Sequence, residues 1–338
     1  CSCQIRGGWL KGAVFPFDFH RFMEKYREEL SDTHMKDAWG NPVTVDEFLN
    51  AKMILTDSQL KMRKYYKSMQ EYRECFKRSN LSIVINNCAH TPKSEVKVAY
   101  QPFQTIPRPN LTDEAIENLA KKTVDYINDA KKDPNVALKL MGIELESERE
   151  EGVSEDLQLN ALHASILKYP QLLNDIHVQK TMKSALQSVR KEAQGCKLIL
   201  DGLWSYICPD LFAFCKWLFL GQNVPEGLIP EGYVYNHYYD ATDIEETCCL
   251  RYPHLSDCEH GIRKVLQTEE CKEWFVGTDT IVSSHDLISK VLQADWDGDH
   301  ICIVHDKAFL YVLDRNKHSL YYDMTKAEPA QITNDAIM

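Results

Sequence analysis

The spacing of apolar residues changes character near residue 196. Before that point they recur mostly at helical intervals, and after it they gather in short runs separated by Pro, Gly and Asp. The first pattern predicts helices over 18–36, 50–78, 112–132, 156–168 and 175–194. Thr56-Asp57-Ser58-Gln59 offers a start inside the second, and Thr112-Asp113-Glu114 supplies a cap and first-turn negative charge for the third. Two apolar stretches break this series, one ending in Ala13-Val14-Phe15 and one at Leu81-Ser82-Ile83-Val84-Ile85; both read as strands. The acidic run 144–151 reads as an exposed linker. Beyond 196, Lys197-Leu198-Ile199-Leu200, Gly232-Tyr233-Val234-Tyr235, Thr247-Cys248-Cys249-Leu250, Thr280-Ile281-Val282 and Ile301-Cys302-Ile303-Val304 predict strands of a compact sheet or barrel. Phe309-Leu310-Tyr311-Val312-Leu313 fits a helix or a strand.

One loop in this second part carries a concentration of charge. In Gln293-Ala294-Asp295-Trp296-Asp297-Gly298-Asp299-His300, three carboxylates fall at i, i+2 and i+4. Extended backbone puts such positions on one face, and Gly298 lets the chain turn so that they converge. Converging anions repel unless a cation lies between them, and hard oxygen ligands with open positions suit Mg²⁺. The apolar run that follows would hold the loop rigid. A calcium-binding EF-hand loop needs Gly at its sixth position, where His300 stands, so that reading fails. A haloacid-dehalogenase phosphatase would have Thr where Asp299 stands and no polar Gln293 in the strand before the loop. An acidic surface turn is the bland alternative.

Composition narrows the class. The chain has 338 residues, 44% hydrophobic and 26% charged, the mixture of a globular protein of two or three domains. It opens Cys1-Ser2-Cys3 with no signal-peptide pattern, which suggests a piece of a longer polypeptide. The longest apolar run, 211–220, is interrupted by Lys216 and too short to span a bilayer, so no membrane role is expected. Twelve cysteines without recurring Cys-x-x-Cys pairs point to reduced thiols and an intracellular setting, cytoplasmic or nuclear. His254, Cys258 and His260, with Cys248 or Cys249, offer zinc ligands at irregular spacing.

A net charge of −11 argues against indiscriminate nucleic-acid binding, but the charge is uneven. Residues 1–110 carry 17 Lys/Arg against 12 Asp/Glu, and the remainder 22 against 38. An anionic ligand would meet the N-terminal third first. There, Arg6-Gly7-Gly8 and Lys11-Gly12 fit either a phosphate-facing loop or a hairpin turn with solvated cations. The cation–aromatic mixture from Lys61 through Lys67 to Arg78 suits phosphate contact and base stacking, or else a solvated amphipathic face.

Taken together, these residues resemble the two-barrel RNA polymerases, and most of all the cellular RNA-dependent RNA polymerases of RNA silencing. Asp295, Asp297 and Asp299 match that family's Asp-x-Asp-Gly-Asp loop residue for residue. Arg251-Tyr252-Pro253 matches its Arg-x-Pro element, although the segment that follows, from His254, is shorter than the family's. Gln4-Ile5-Arg6, Gly7-Gly8 and Lys11-Gly12 match its N-terminal signature, with the glycines shifted by one. The resemblance implies an α+β chain in three parts. Residues 1–20 would close a first, incomplete β-barrel, 21–195 would form a largely helical connector, and 196–338 would form a double-psi β-barrel bearing the aspartates.

It also implies RNA synthesis on an RNA template from nucleoside triphosphates by a two-metal mechanism, with Mg²⁺ (or Mn²⁺ in its place) on Asp295, Asp297 and Asp299. Lys11 and Arg251 would be catalytic, Arg6 would bind substrate phosphate, and Gln293 would meet the ribose. RNA-silencing proteins would be partners. A DNA-templated, phage-type single-chain polymerase and a non-catalytic RNA-binding remnant are the alternatives. Because earlier strands of the first barrel would precede Cys1, activity is expected to require them.

Overall fold

The computed structural model describes residues 1–89, 93–140 and 161–315. The chain divides into two compact units. The first holds Cys1–Ser94 and Gly202–His305 with Arg315, and the second holds Glu95–Asp201 and Asp306–Asp314.

In the first unit, β1 (Cys3–Gly7) and β2 (Leu10–Val14) form a hairpin whose turn residue Gly8 has φ +53°. A left-handed residue in a two-residue loop twists with the strands, which is why Gly stands there. On its other edge β1 pairs antiparallel with β3 (Val84–Cys88), three residues later than the predicted strand. Leu10, Leu60 and Tyr72 pack beneath the hairpin with Trp9, Trp39 and Tyr66 around them.

The predicted helix over 50–78 is broken. Met62 is left-handed at φ 63°, and only Met69–Arg78 is α-helical, capped by Ser68, whose hydroxyl accepts from the Glu71 amide at 3.1 Å. Tyr66 and Tyr72 stack edge-on at 5.1 Å inside this cluster. Those two aromatics are therefore core, while Tyr65 remains exposed. The helix predicted over 18–36 is shorter, Phe19–Lys25, with Asp18 capping it.

β4 (Glu95–Val98) belongs to the second unit. It pairs with the first four residues of β5 (Leu198–Pro209), a strand far longer than the predicted 197–200 run. Also in this unit are the helices Asp113–Asp129, capped by Thr112 as predicted, and Ile176–Gln194, capped by Asp175. The Thr123 hydroxyl accepts from the Ile199 amide at 2.8 Å, and Lys122 pairs with both Glu95 and Asp201. Ala161–Lys168 is the described part of the helix predicted over 156–168, and the acidic run 144–151 lies outside the described residues. The segment left open between helix and strand is a helix, Lys307–Val312.

From Gly202 onward β5 belongs to the first unit, and with β6 (Tyr233–Tyr235), β7 (Glu246–Leu250), β8 (Gly261–Val265), β9 (Thr280–Val282) and β10 (His300–Val304) it closes a six-stranded barrel. The order around the barrel is β5-β9-β6-β8-β7-β10 and back to β5. β5–β9 and β6–β8 are parallel and the other pairs antiparallel. Leu203, Ile207, Val234, Cys249, Val282, Ile301 and Ile303 fill its interior by strict alternation along their strands. A second core lies around Phe22, Phe212, Phe219 and Trp274, where helix Leu211–Leu220 buries the long apolar run. No helix among the described residues is long and apolar enough to cross a membrane. The fold is thus α+β with a closed barrel, and the aspartate loop leads directly into β10.

Candidate active site

Helix Ile288–Val291 ends in Gln293, which is left-handed at φ 52°, and the chain then turns through 294–299 into β10. Each turn of this loop is fixed from within. The Asp295 amide donates to Asp299 Oδ2 at 3.0 Å, and the Asp297 amide donates to Asp295 Oδ1 at 3.2 Å. Gly298 has φ +107°, a conformation that side chains with a Cβ rarely adopt. The outcome is convergence: ligand oxygens of Asp295, Asp297 and Asp299 all lie within 4.8 Å of one another. Among the described residues this is the one group of three or more acidic, His or Cys side chains placed to share an ion. His254 and His260 instead stack on each other at 4.8 Å, so the zinc cluster offered by the sequence is not assembled.

Two cations meet the carboxylates. Lys11, on β2, forms an ion pair with Asp297, and Arg251, just past β7, places Nε 2.8 Å from Asp299 Oδ2. These partners explain how the loop tolerates its own charge. Burial opposes ionisation of Asp297, but the Lys11 ammonium, a hydrogen bond from Asp295 and the charge of Arg6 outweigh it and hold its carboxyl below the usual range. Burial pushes Asp295 the other way, helped by its hydrogen bond to Asp297 and by repulsion from Asp297 and Asp299. The two neighbouring acids are thus driven apart in their tendency to ionise, one by burial and repulsion and the other by its cationic partner. All-oxygen donors on a half-exposed loop fit a hard divalent cation such as Mg²⁺.

Arg6 lies directly across the hairpin from Lys11 in the strand register. Both line a cleft of about 530 Å³ together with Lys61, Gly7, Gly8 and Leu81. Three cations in a space of this size suit an anionic small molecule or a phosphodiester backbone. Gly8 serves the hairpin turn, and Gly7 at the end of β1 allows close packing, because a Cβ there would meet the Ser82 carbonyl oxygen. Gln293 is exposed, and no hydrogen bond joins its side chain to the three carboxylates among the described residues.

One contact was not anticipated from the sequence beyond membership of a motif. Gln4, on β1, donates from Nε2 to the Gly298 carbonyl oxygen at 2.8 Å. No local pattern could have revealed a bond between residues 294 positions apart.

No family model matches the chain. In sequence it is 35% identical, over 98% of its length, to the DNA-directed RNA polymerase YonO of Bacillus phage SPbeta, and it spans 38% of that relative. In fold it is similar to the RNA-dependent RNA polymerase QDE-1 from Thielavia terrestris, with TM-score 0.54 and 13% identity, covering 96% of this chain and 33% of that one. Both comparisons thus lead to RNA polymerases, the Bacillus phage enzyme in sequence and the Thielavia terrestris enzyme in fold alone, as the resemblance carried by the motifs implies.

Proposed function

We propose that this site performs nucleotidyl transfer in template-directed RNA synthesis. An RNA 3′-hydroxyl attacks the α-phosphate of a nucleoside triphosphate, a new phosphodiester bond forms, and pyrophosphate leaves. The observation that carries this reading is the convergence of three carboxylates within 4.8 Å, flanked by Lys11 and Arg251. When bound, Mg²⁺ or Mn²⁺ on Asp295, Asp297 and Asp299 would activate the hydroxyl and share phosphoryl charge, in the two-metal form with a second ion brought by the triphosphate.

The chain's own residues supply the remainder. Lys11 sits between two kinds of anion, Asp297 on one side and whatever phosphate enters the cleft on the other. Moving its ammonium from carboxylate to phosphate would offset the charge that builds in the transition state. Arg251 is placed to do the same for a phosphate or to touch the ribose, and its planar fork can serve Asp299 and an oxygen ligand together. Arg6 extends the cationic wall of the cleft, where it would bind phosphate oxygens of the incoming nucleotide. Gln293, two residues before the first aspartate, carries an amide that can both donate to and accept from a ribose hydroxyl. Reading 1–20 as the closing part of a first barrel and 21–195 as its connector belongs to the same proposal; RNA-silencing partners do not.

The motif resemblance and the fungal fold support an RNA template. A second reading, a DNA template, is favoured by the phage relative, whose 35% identity against 13% makes it much the nearer in sequence. Template choice is tested with labelled nucleotide incorporation on single-stranded RNA and on DNA of matched sequence, using the protein at its full natural length. A strong preference for either template settles the choice between them. Turnover of a simple phosphate ester without template would move the reading to a phosphatase, and nucleic-acid binding without incorporation would move it to a non-catalytic remnant.

A further inference from the structure

Gln4 stands where two sheets of the first unit exchange a hydrogen bond. Its strand β1 lies in the three-stranded sheet, and its amide reaches the carbonyl of Gly298 in the loop that precedes β10. The Gly298 carbonyl can only accept, so the amide nitrogen must face it, and Oε1 is left pointing the opposite way. There it accepts from Asn86 Nδ2 at 3.3 Å. The register of β1 against β3 explains why Asn86 is available. Gln4 lies opposite Asn87 and Ile5 opposite Ile85, so Asn86 is the extra residue of a β-bulge. Bulges re-aim a side chain out of the ladder, and here the re-aimed amide is the donor that fixes the Gln4 rotamer.

The other end of the relay is equally constrained. Gly298 has φ +107°, and a Cβ there would collide with Cγ and Nε2 of Gln4. The carbonyl that Gln4 holds belongs to the peptide joining Gly298 to Asp299, so its orientation sets the direction in which Asp299 leaves the turn. On the other side of the glycine is Asp297, which Lys11 grips from β2. One hairpin thus holds the loop at two neighbouring points, by charge through Lys11 and by backbone through Gln4.

We infer that the Asn86–Gln4–Gly298 relay is a positioning device that sets the spacing of Asp297 and Asp299 for divalent-cation binding. The inference rests on the metal-dependent reading proposed above. Gln4 is a positioning residue that acts through the Gly298 carbonyl. Partners one shell removed from a metal commonly cost 10–100-fold in affinity when lost.

The test uses Mn²⁺ alone, followed by electron paramagnetic resonance, and Tb³⁺ alone, followed by luminescence sensitised by Trp296, which lies between two of the aspartates and is part-exposed. Gln4→Met keeps the side-chain length and removes both amide functions. Asn86→Ala removes only the orienting donor, from an exposed strand position, and guards against a folding defect in the first variant. Asp297→Ala is the reference for loss of the site. Gln4→Met is expected to weaken Mn²⁺ binding about 10-fold or more at an unchanged unfolding midpoint. Asn86→Ala should weaken it several-fold in the same direction. In turnover, kcat should fall at low Mn²⁺ and recover as Mn²⁺ is raised, with the nucleotide KM unmoved. Wild-type Mn²⁺ affinity in Gln4→Met and Asn86→Ala, together with loss in Asp297→Ala, would overturn the relay and leave the metal site standing. Wild-type affinity in Asp297→Ala as well would overturn both.

Discussion

Asp286→Ala should damage the barrel more than any exposed substitution, and its magnitude follows from the contacts. Asp286 receives both arms of the Arg263 fork, Nε at 2.7 Å and an Nη at 2.6 Å. It also accepts from the amides of Gly232 at 3.0 Å and Ile288 at 2.8 Å. Its side chain is 3% exposed and that of Arg263 17%. Removing the carboxylate therefore leaves a guanidinium and two amides without their acceptor in a mostly dry site. Breaking a buried pair in this way typically costs about 3–5 kcal/mol. At roughly 2–4 °C per kcal/mol for a domain of this size, the barrel's unfolding midpoint should fall by about 6–20 °C.

The pH dependence has a definite sign. Burial alone would raise the Asp286 carboxyl, but Arg263 and the two amides outweigh it and hold the folded-state value below the usual range. A depressed acid contributes stability that is fully present above its unfolded value of about 4 and is lost as pH falls through the folded value. Thermal unfolding of wild type and Asp286→Ala from pH 7 downward reads this directly. The gap between the two midpoints should be widest at neutral pH and narrow below about pH 4. A gap under 2 °C at pH 7, or one that widens on acidification, would refute the reasoning.

Four further outcomes follow from the same geometry. Gly298→Ala meets both an unfavourable φ and the Gln4 side chain, so it should destabilise the loop by roughly 1–3 kcal/mol and abolish incorporation; circular dichroism and a primer-extension assay read the two effects. Lys11→Gln removes the cation shared by Asp297 and the cleft, and should lower kcat on the order of 10²-fold, while a change confined to KM would argue for ground-state binding alone. Arg251→Lys keeps charge but not the fork, so incorporation should fall by less than in Arg251→Ala, measured side by side. Phe212→Ala opens the second core, where Phe22 and Trp274 pack edge-on against that ring, and should cost about 3–5 kcal/mol in urea unfolding with the aspartate loop's metal affinity unchanged.

How much of this was legible in the sequence depended on how local each signal is. The aspartates could be read because their spacing lies within five residues, and the cap at Thr112 because a cap and its helix are adjacent. β8 was hidden by its own charges. Gly261-Ile262-Arg263-Lys264-Val265 looks like surface, yet Arg263 is half-buried against Asp286, a partner 23 residues away. β5 was predicted to stop near Leu200 because Asp201-Gly202 is a turn signal; Lys122 offsets the aspartate's charge and the strand continues. The basic aromatic segment read as a solvated amphipathic face first and a nucleic-acid face second, since nothing local says that Tyr66 and Tyr72 turn inward under Trp9. The Gln4 contact lies at the far end of this scale, because only the folded chain brings β1 to the aspartate loop.

The central claim is that the three aspartates carry nucleotidyl transfer. It is tested most directly by incorporation of labelled nucleoside triphosphates, with Mg²⁺, into RNA on matched RNA and DNA templates, comparing wild type with Asp297→Ala at full natural length. Templated product from wild type on at least one template, reduced to background in Asp297→Ala with its folded structure intact, is the expected result. Product formed by Asp297→Ala at the wild-type rate would contradict the assignment of this loop as the catalytic centre.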